Sequence, residues 1–149
     1  MPTQGVSREV LPLHCDQWAH RAPEQEPDAR ALGFLNYLRF VSMNCRAKPY
    51  TGLFEACALL HTQQDRTQQA HAEALMRCLN EALGKPARLY APGVTEMTFD
   101  ESWLLQLCLA SARQDRASVQ FLVQSRVARE NRRLITFLVH WIVDHFPSF

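Results

Sequence analysis

Apolar residues recur at helical spacing along most of this chain. Between Asp28 and about Arg46, the residues Ala31, Phe34, Leu35, Leu38, Val41 and Cys45 make one stripe, with Asn36 and Arg39 lying off it. That stripe predicts an amphipathic helix, which Lys48-Pro49 stops. Thr51 is placed to cap a second helix carrying Leu53, Phe54, Cys57 and Leu60 and ending near Gln63. A third helix, capped by Asp65 or Thr67, turns Leu75, Cys78, Leu79, Ala82 and Leu83 to the core and Glu73, Arg77 and Glu81 to water. Gly84 then supplies a left-handed position just past its end, and Pro86 prevents continuation.

Residues 84–97 form a long connection with Pro86, Pro92 and Gly93. Thr98 and Glu101 follow in the capping-box spacing, ahead of Trp103, Leu104, Leu105, Leu107, Cys108 and Leu109. Because those apolar residues surround nearly the whole circumference, the helix from Thr98 to about Arg113 is expected at the centre of the fold. A short helix follows from Asp115 with Val119, Phe121, Leu122 and Val123. The last, from Arg126 to about Phe146, is expected to face the core with Val127, Leu134, Leu138, Trp141, Ile142 and His145. Its middle, Leu134 to Val143, holds enough β-branched residues to suit a strand, but no partner strand is visible elsewhere and helix is preferred.

Pro2, Pro12, Pro23 and Pro27 exclude a long helix from residues 1–27, which read as an extended arm pinned by Leu11, Leu13 and Trp18. The expected fold is therefore all-α: a compact bundle of five to six helices over residues 28–149, preceded by an irregular Pro-containing arm. Gln64-Asp65-Arg66 and Gln114-Asp115-Arg116 each join two apolar segments, as helical hairpins with Asp as the second N-cap would. Asp is so favoured at N-caps that coincidence explains this as well as a duplication does.

A length of 149 residues suits a single domain, and 47% hydrophobic with 21% charged residues is too apolar for a disordered chain. A net charge of +1 points to no polyanion partner by itself. The cysteines, Cys15, Cys45, Cys57, Cys78 and Cys108, number five and include no CxxC pair, so free thiols in a reducing cytoplasm are expected. Neither an export signal nor an apolar run of membrane-spanning length is evident, and no membrane partner is expected.

Chemistry-bearing motifs are sparse. His14, Cys15 and His20 form the densest group of metal-ligand types, with His140, Asp144 and His145 next, and neither has the spacing of a structural zinc site. Asp100 and Glu101 are adjacent carboxylates whose helix-start position accounts for them. His71 shares a face with Leu75, Cys78 and Ala82 and reads as a core-edge histidine. The glycines never approach a phosphate-loop or dinucleotide spacing. No metal, cofactor or catalytic residue is therefore assigned, and the reading leans away from an enzyme.

The most informative polar feature lies in residues 111–133, where Arg113, Arg116, Arg126, Arg129, Arg132 and Arg133 stand against Asp115 and Glu130. If the last helix begins near Arg126, then Arg126, Arg129 and Arg133 share one exposed face, which meets water, acids of the N-terminal arm or an anionic partner. The apolar last helix suggests a homodimer, with Phe137, Val139 and Val143 as contacts. The leading expectation is a non-enzymatic module that binds another macromolecule, a protein before a nucleic acid. Anion or nucleic-acid binding through the Arg face is the second reading, and an enzyme with an unrecognised site near the 84–97 loop is the third.

Overall fold

A computed structural model of the chain describes residues 28–47 and 64–146. The N-terminal arm, the helix expected after Thr51, and the metal-ligand types His14, Cys15 and His20 lie outside the described residues. Five α-helices and no strand occupy the rest: α1 (Ala29–Ala47), α2 (Gln64–Ala82), α3 (Phe99–Ala112), α4 (Arg116–Arg126) and α5 (Arg132–His145), with a single 3₁₀ turn at Arg129–Asn131.

The helix boundaries follow from local chemistry. Gly84 adopts φ +66°, the left-handed geometry expected just past α2. At the start of α3 the Thr98 side chain accepts from the Glu101 amide while the Glu101 carboxylate accepts from the Thr98 amide, closing the capping box. Asp115 caps α4 by accepting from the Ser118 amide at 3.1 Å. The matching hairpin is not built the same way, because α2 already begins at Gln64 and Asp65 is its second residue rather than its cap.

Helix α3 is the centre of the bundle, contacted by α1, α4 and α5, while α2 packs between α1 and α5. Trp103, Leu104, Leu105, Leu107, Cys108 and Ala110 are all buried, so nearly every side of α3 meets protein. On α1 the expected stripe of Ala31, Phe34, Leu35, Leu38 and Val41 is buried, chiefly on the side packed against α2. Phe34 also meets Phe146 edge-on, with ring centroids 4.8 Å apart. Cys108 is a buried free thiol, and burial pushes it up to about 12.

The last helix differs from its expected placement in start and in rotation. Val127 and Ala128 leave the helical path, and the Ala128 amide donates to the Ala82 carbonyl at the end of α2, so the chain turns before α5 can begin at Arg132. Its buried residues are Ile135, Leu138, Val139, Ile142 and Val143; of the expected stripe, Val127, Leu138 and Ile142 are buried, Leu134 and Trp141 pack half-buried against the core, and His145 is exposed. Two of the expected dimer contacts, Val139 and Val143, are thus engaged in the chain's own core at 1% and 5% exposure; Phe137 alone of the three faces outward. A helix apolar on almost every side carries no phase signal of its own, and packing against α2 and α3 sets its rotation. No helix among the described residues is long and apolar enough to cross a membrane.

Candidate functional site

One polar cluster is sealed inside the fold. Arg39, expected off the apolar stripe of α1, is buried together with Glu101, both side chains having no exposed surface. The guanidinium donates in a fork to Glu101, Nε to Oε1 at 2.7 Å and Nη2 to Oε2 at 3.0 Å. Its remaining N–H groups reach the Val94 carbonyl at 2.6 Å, the Glu96 carbonyl at 2.8 Å and the Asn36 side-chain oxygen at 3.1 Å. Glu101 in turn accepts from the amides of Tyr90 and Thr98, each at 2.8 Å.

This cluster fixes the connection between α2 and α3. Asp100 accepts from the Arg88 amide, the Thr98 hydroxyl donates to the Arg88 carbonyl, and Asn80 accepts from the Ala87 amide. Desolvation is the largest influence on Glu101 and pushes its carboxyl upward, yet the bonds from Arg39, Thr98 and Tyr90 together hold it below the usual carboxylate range. Both carboxylates expected from the helix start are thus engaged in structural bonds.

The arginine-rich stretch divides into three. Arg126 ends α4 and bonds Asp100, its guanidinium lying 4.9 Å from the Phe99 ring centroid and 5.1 Å from that of Trp103. Its place is structural, since the α5 start that would have aligned it with Arg129 and Arg133 lies beyond a turn. Arg113 and Arg129 are exposed and do not line the groove between α4 and α5. Arg116 and Arg133, with Arg132, line a groove of about 510 Å³ between α4 and α5.

That groove has a definite chemical character. Val119, Val123 and Phe137 give it an apolar lining, Gln120, Gln124 and Thr136 add neutral polar groups, and no carboxylate among the described residues lines it. His140 lies at one end, its Nδ1 sharing a 2.6 Å hydrogen bond with the buried Ser111 hydroxyl. Ser111 is not among the groove's lining residues, so the Ser–His pair orients the imidazole rather than offering a nucleophile.

A second histidine group clips α2 to α5. His71 stacks on the Trp141 indole with centroids 3.5 Å apart, and His145 stacks on the same indole at 3.9 Å. Two rings so close to one centroid and nearly parallel to it must lie on opposite faces. Nδ1–H of His71 donates to the Thr67 carbonyl at 2.7 Å and that of His145 to the Trp141 carbonyl at 2.8 Å. With His140 bonded to Ser111 and His145 stacked, the group His140, Asp144 and His145 is not gathered, and no cluster of three metal-ligand types occurs among the described residues.

Burial lowers the His71 pKa, against the Thr67 hydrogen bond that raises it and with a smaller lowering from His145. A depressed folded-state value means that the unfolded chain takes up a proton first on acidification. The stability contributed by neutral His71 is thus present above its ordinary value of 6.5 and is lost as the pH falls below it. Urea unfolding between about pH 7.5 and about pH 5.5 is expected to show falling stability. A His71→Phe variant, which can stack but cannot titrate, is expected to lose part of that dependence. An identical pH slope in the two proteins would contradict the assignment.

Compared with models of protein families, with curated proteins and with solved structures, the chain finds no match.

Proposed function

We propose that this protein is a non-enzymatic binding module that receives an acidic, amphipathic helical segment of a partner protein in the groove between α4 and α5. The observation that carries the reading is the convergence of Arg116, Arg132 and Arg133 on an apolar groove that no carboxylate among the described residues lines. Val119 and Val123 call for an apolar side chain to cover them, and the flanking guanidinium groups call for carboxylates beside it. An acidic amphipathic helix offers both at once, whereas a nucleic-acid backbone offers only the anions. The exposed Phe137 at the groove supplies an aromatic contact of the kind that anchors interfaces.

The test is fluorescence polarisation with a labelled acidic amphipathic peptide, run beside a peptide of the same apolar pattern in which the acids are replaced by Gln. The acidic peptide is expected to bind with an affinity that falls as salt is added. Replacing Arg116 and Arg133 together by Glu is expected to weaken it about tenfold or more, because two attractions of ~0–1 kcal/mol each become repulsions. The same reversal at Arg113 and Arg129, which carry equal charge outside the groove, is expected to change it far less. Equal losses in both double variants would show a diffuse charge effect and sink the groove assignment.

A further inference from the structure

A different groove, on the opposite side of α3's first turn from the core, has another chemistry. It measures about 910 Å³ and is lined by Lys85, Pro86, Arg88, Leu89, Tyr90, Thr98, Phe99 and Asp100. Two of these residues are exposed aromatics, Phe99 at 75% and Tyr90 at 44%. Two more, Lys85 and Arg88, are exposed cations. The only carboxylate among them, Asp100, is already ion-paired with Arg126 and bonded to the Arg88 amide. The groove therefore presents a positive, aromatic surface.

The backbone that carries Arg88 and Tyr90 is held in place before any ligand arrives. The Arg88 amide is fixed by Asp100 and its carbonyl by the Thr98 hydroxyl, while the Tyr90 amide is fixed by the buried Glu101 carboxylate. Phe99 has the Arg126 guanidinium against its ring on one side, 4.9 Å from the centroid, and most of its surface open to solvent on the other. A guanidinium behind an aromatic ring both positions the ring and withdraws electron density from it. That favours stacking of an electron-rich flat ring on the free side. A backbone fixed in this way leaves only side-chain freedom to be lost on binding.

We infer that this groove binds single-stranded nucleic acid, with bases stacked on Phe99 and Tyr90 and phosphates held by Lys85 and Arg88. Alternating aromatic platforms and cations are the means by which strands without a paired partner are held, since every base has a π face and every linkage a charge. A paired duplex hides those faces. A free mononucleotide engages a single platform, while two exposed aromatics lining one groove suit successive bases of a strand. The site is independent of the α4–α5 groove, with which it shares no lining residue.

The experiment uses the full chain and three probes: a labelled oligothymidylate, a duplex of equal length, and adenosine monophosphate. The strand is expected to bind more tightly than the duplex or the mononucleotide, with affinity falling as salt rises. Phe99→Ala is expected to weaken strand binding about 5- to 150-fold, the equivalent of the ~1–3 kcal/mol that one stacked base contributes. Phe99 is exposed, so circular dichroism and melting of the variant should match the wild type. Phe99→Tyr, which restores a ring, should restore binding, and Lys85→Glu with Arg88→Glu should abolish it. Arg116→Glu with Arg133→Glu should leave it in place. No strand binding at low salt, equal affinity for duplex or mononucleotide, or full binding by Phe99→Ala would each overturn the assignment; acidic-peptide binding lost only in the Arg116/Arg133 variant would leave the other groove's reading standing.

Discussion

Replacing Glu101 by Ala is expected to destabilise the protein by about 3–5 kcal/mol, the range for removing one partner of a buried ion pair. The loss is large because Arg39 would remain charged with no exposed surface and no carboxylate, and the amides of Tyr90 and Thr98 would lose their acceptor. Glu101→Gln keeps the shape but turns an amide group toward the donors of Arg39, and should recover little. The double replacement Arg39→Met with Glu101→Leu removes both charges, which in a simple buried pair often restores stability. Here it is expected to recover only part, since the carbonyls of Val94 and Glu96 would also be stranded. Urea unfolding of the three variants measures this, and a loss below ~1 kcal/mol for Glu101→Ala would contradict the role assigned to the pair. Because the folded state holds the Glu101 carboxyl low, its contribution is present above the ordinary carboxylate value and is lost as the pH falls through the folded one.

Trp103→Ala is expected to cost about 3–5 kcal/mol, as for other large buried aromatics. The indole is 6% exposed in the central helix, donates Nε1–H to the Leu122 carbonyl at 3.1 Å, and lies against the Arg126 guanidinium. Its removal opens a cavity between α3 and α4 and takes one of the rings from Arg126, whose Nη1 already finds no acceptor among the described residues. Trp103→Phe separates the effects: most of the apolar volume stays, the Leu122 carbonyl loses its donor, and about 1–3 kcal/mol is expected. If Phe costs as much as Ala, the hydrogen bond rather than the packing dominates, and the cavity account fails.

How far the sequence carried the fold depended on whether a segment had a phase. Helix α3 was legible at both levels, its start from Thr98 and Glu101 and its central position from apolar residues on every side. Helix α1 was legible except at Arg39, because a charged residue off a stripe ordinarily faces water, and its partner stands 62 positions along the chain. Only the acidic cap residue hinted at that partner, and its capping role alone was enough to explain it. Helix α5 was legible as a helix but not in its rotation, since Leu134 to Val143 offers apolar residues on nearly every side. The error at Arg126 has the same root. Val127 and Ala128 are compatible with a continuous helix, and the bond from the Ala128 amide to the Ala82 carbonyl that diverts the chain is a tertiary fact. The arginine cluster was visible as composition; its division among a structural clamp, two solvated positions and a groove was not.

The bonds that hold residues 84–97 come from side chains rooted elsewhere: Asn36 and Arg39 on α1, Asn80 on α2, Asp100 and Glu101 on α3. A loop normally changes its course when its sequence changes, because its own residues decide its turns. Here, apart from Gly84 and Gly93 with their positive φ, the course is dictated from outside, through backbone amides and carbonyls that every substitution except proline retains. The outward side chains at Lys85, Arg88, Tyr90 and Thr95 are thereby uncoupled from the backbone path. Such a stretch can exchange its outward chemistry in small, separate steps while its geometry stays constant, so it can drift toward new ligands without first passing through an unfolded intermediate.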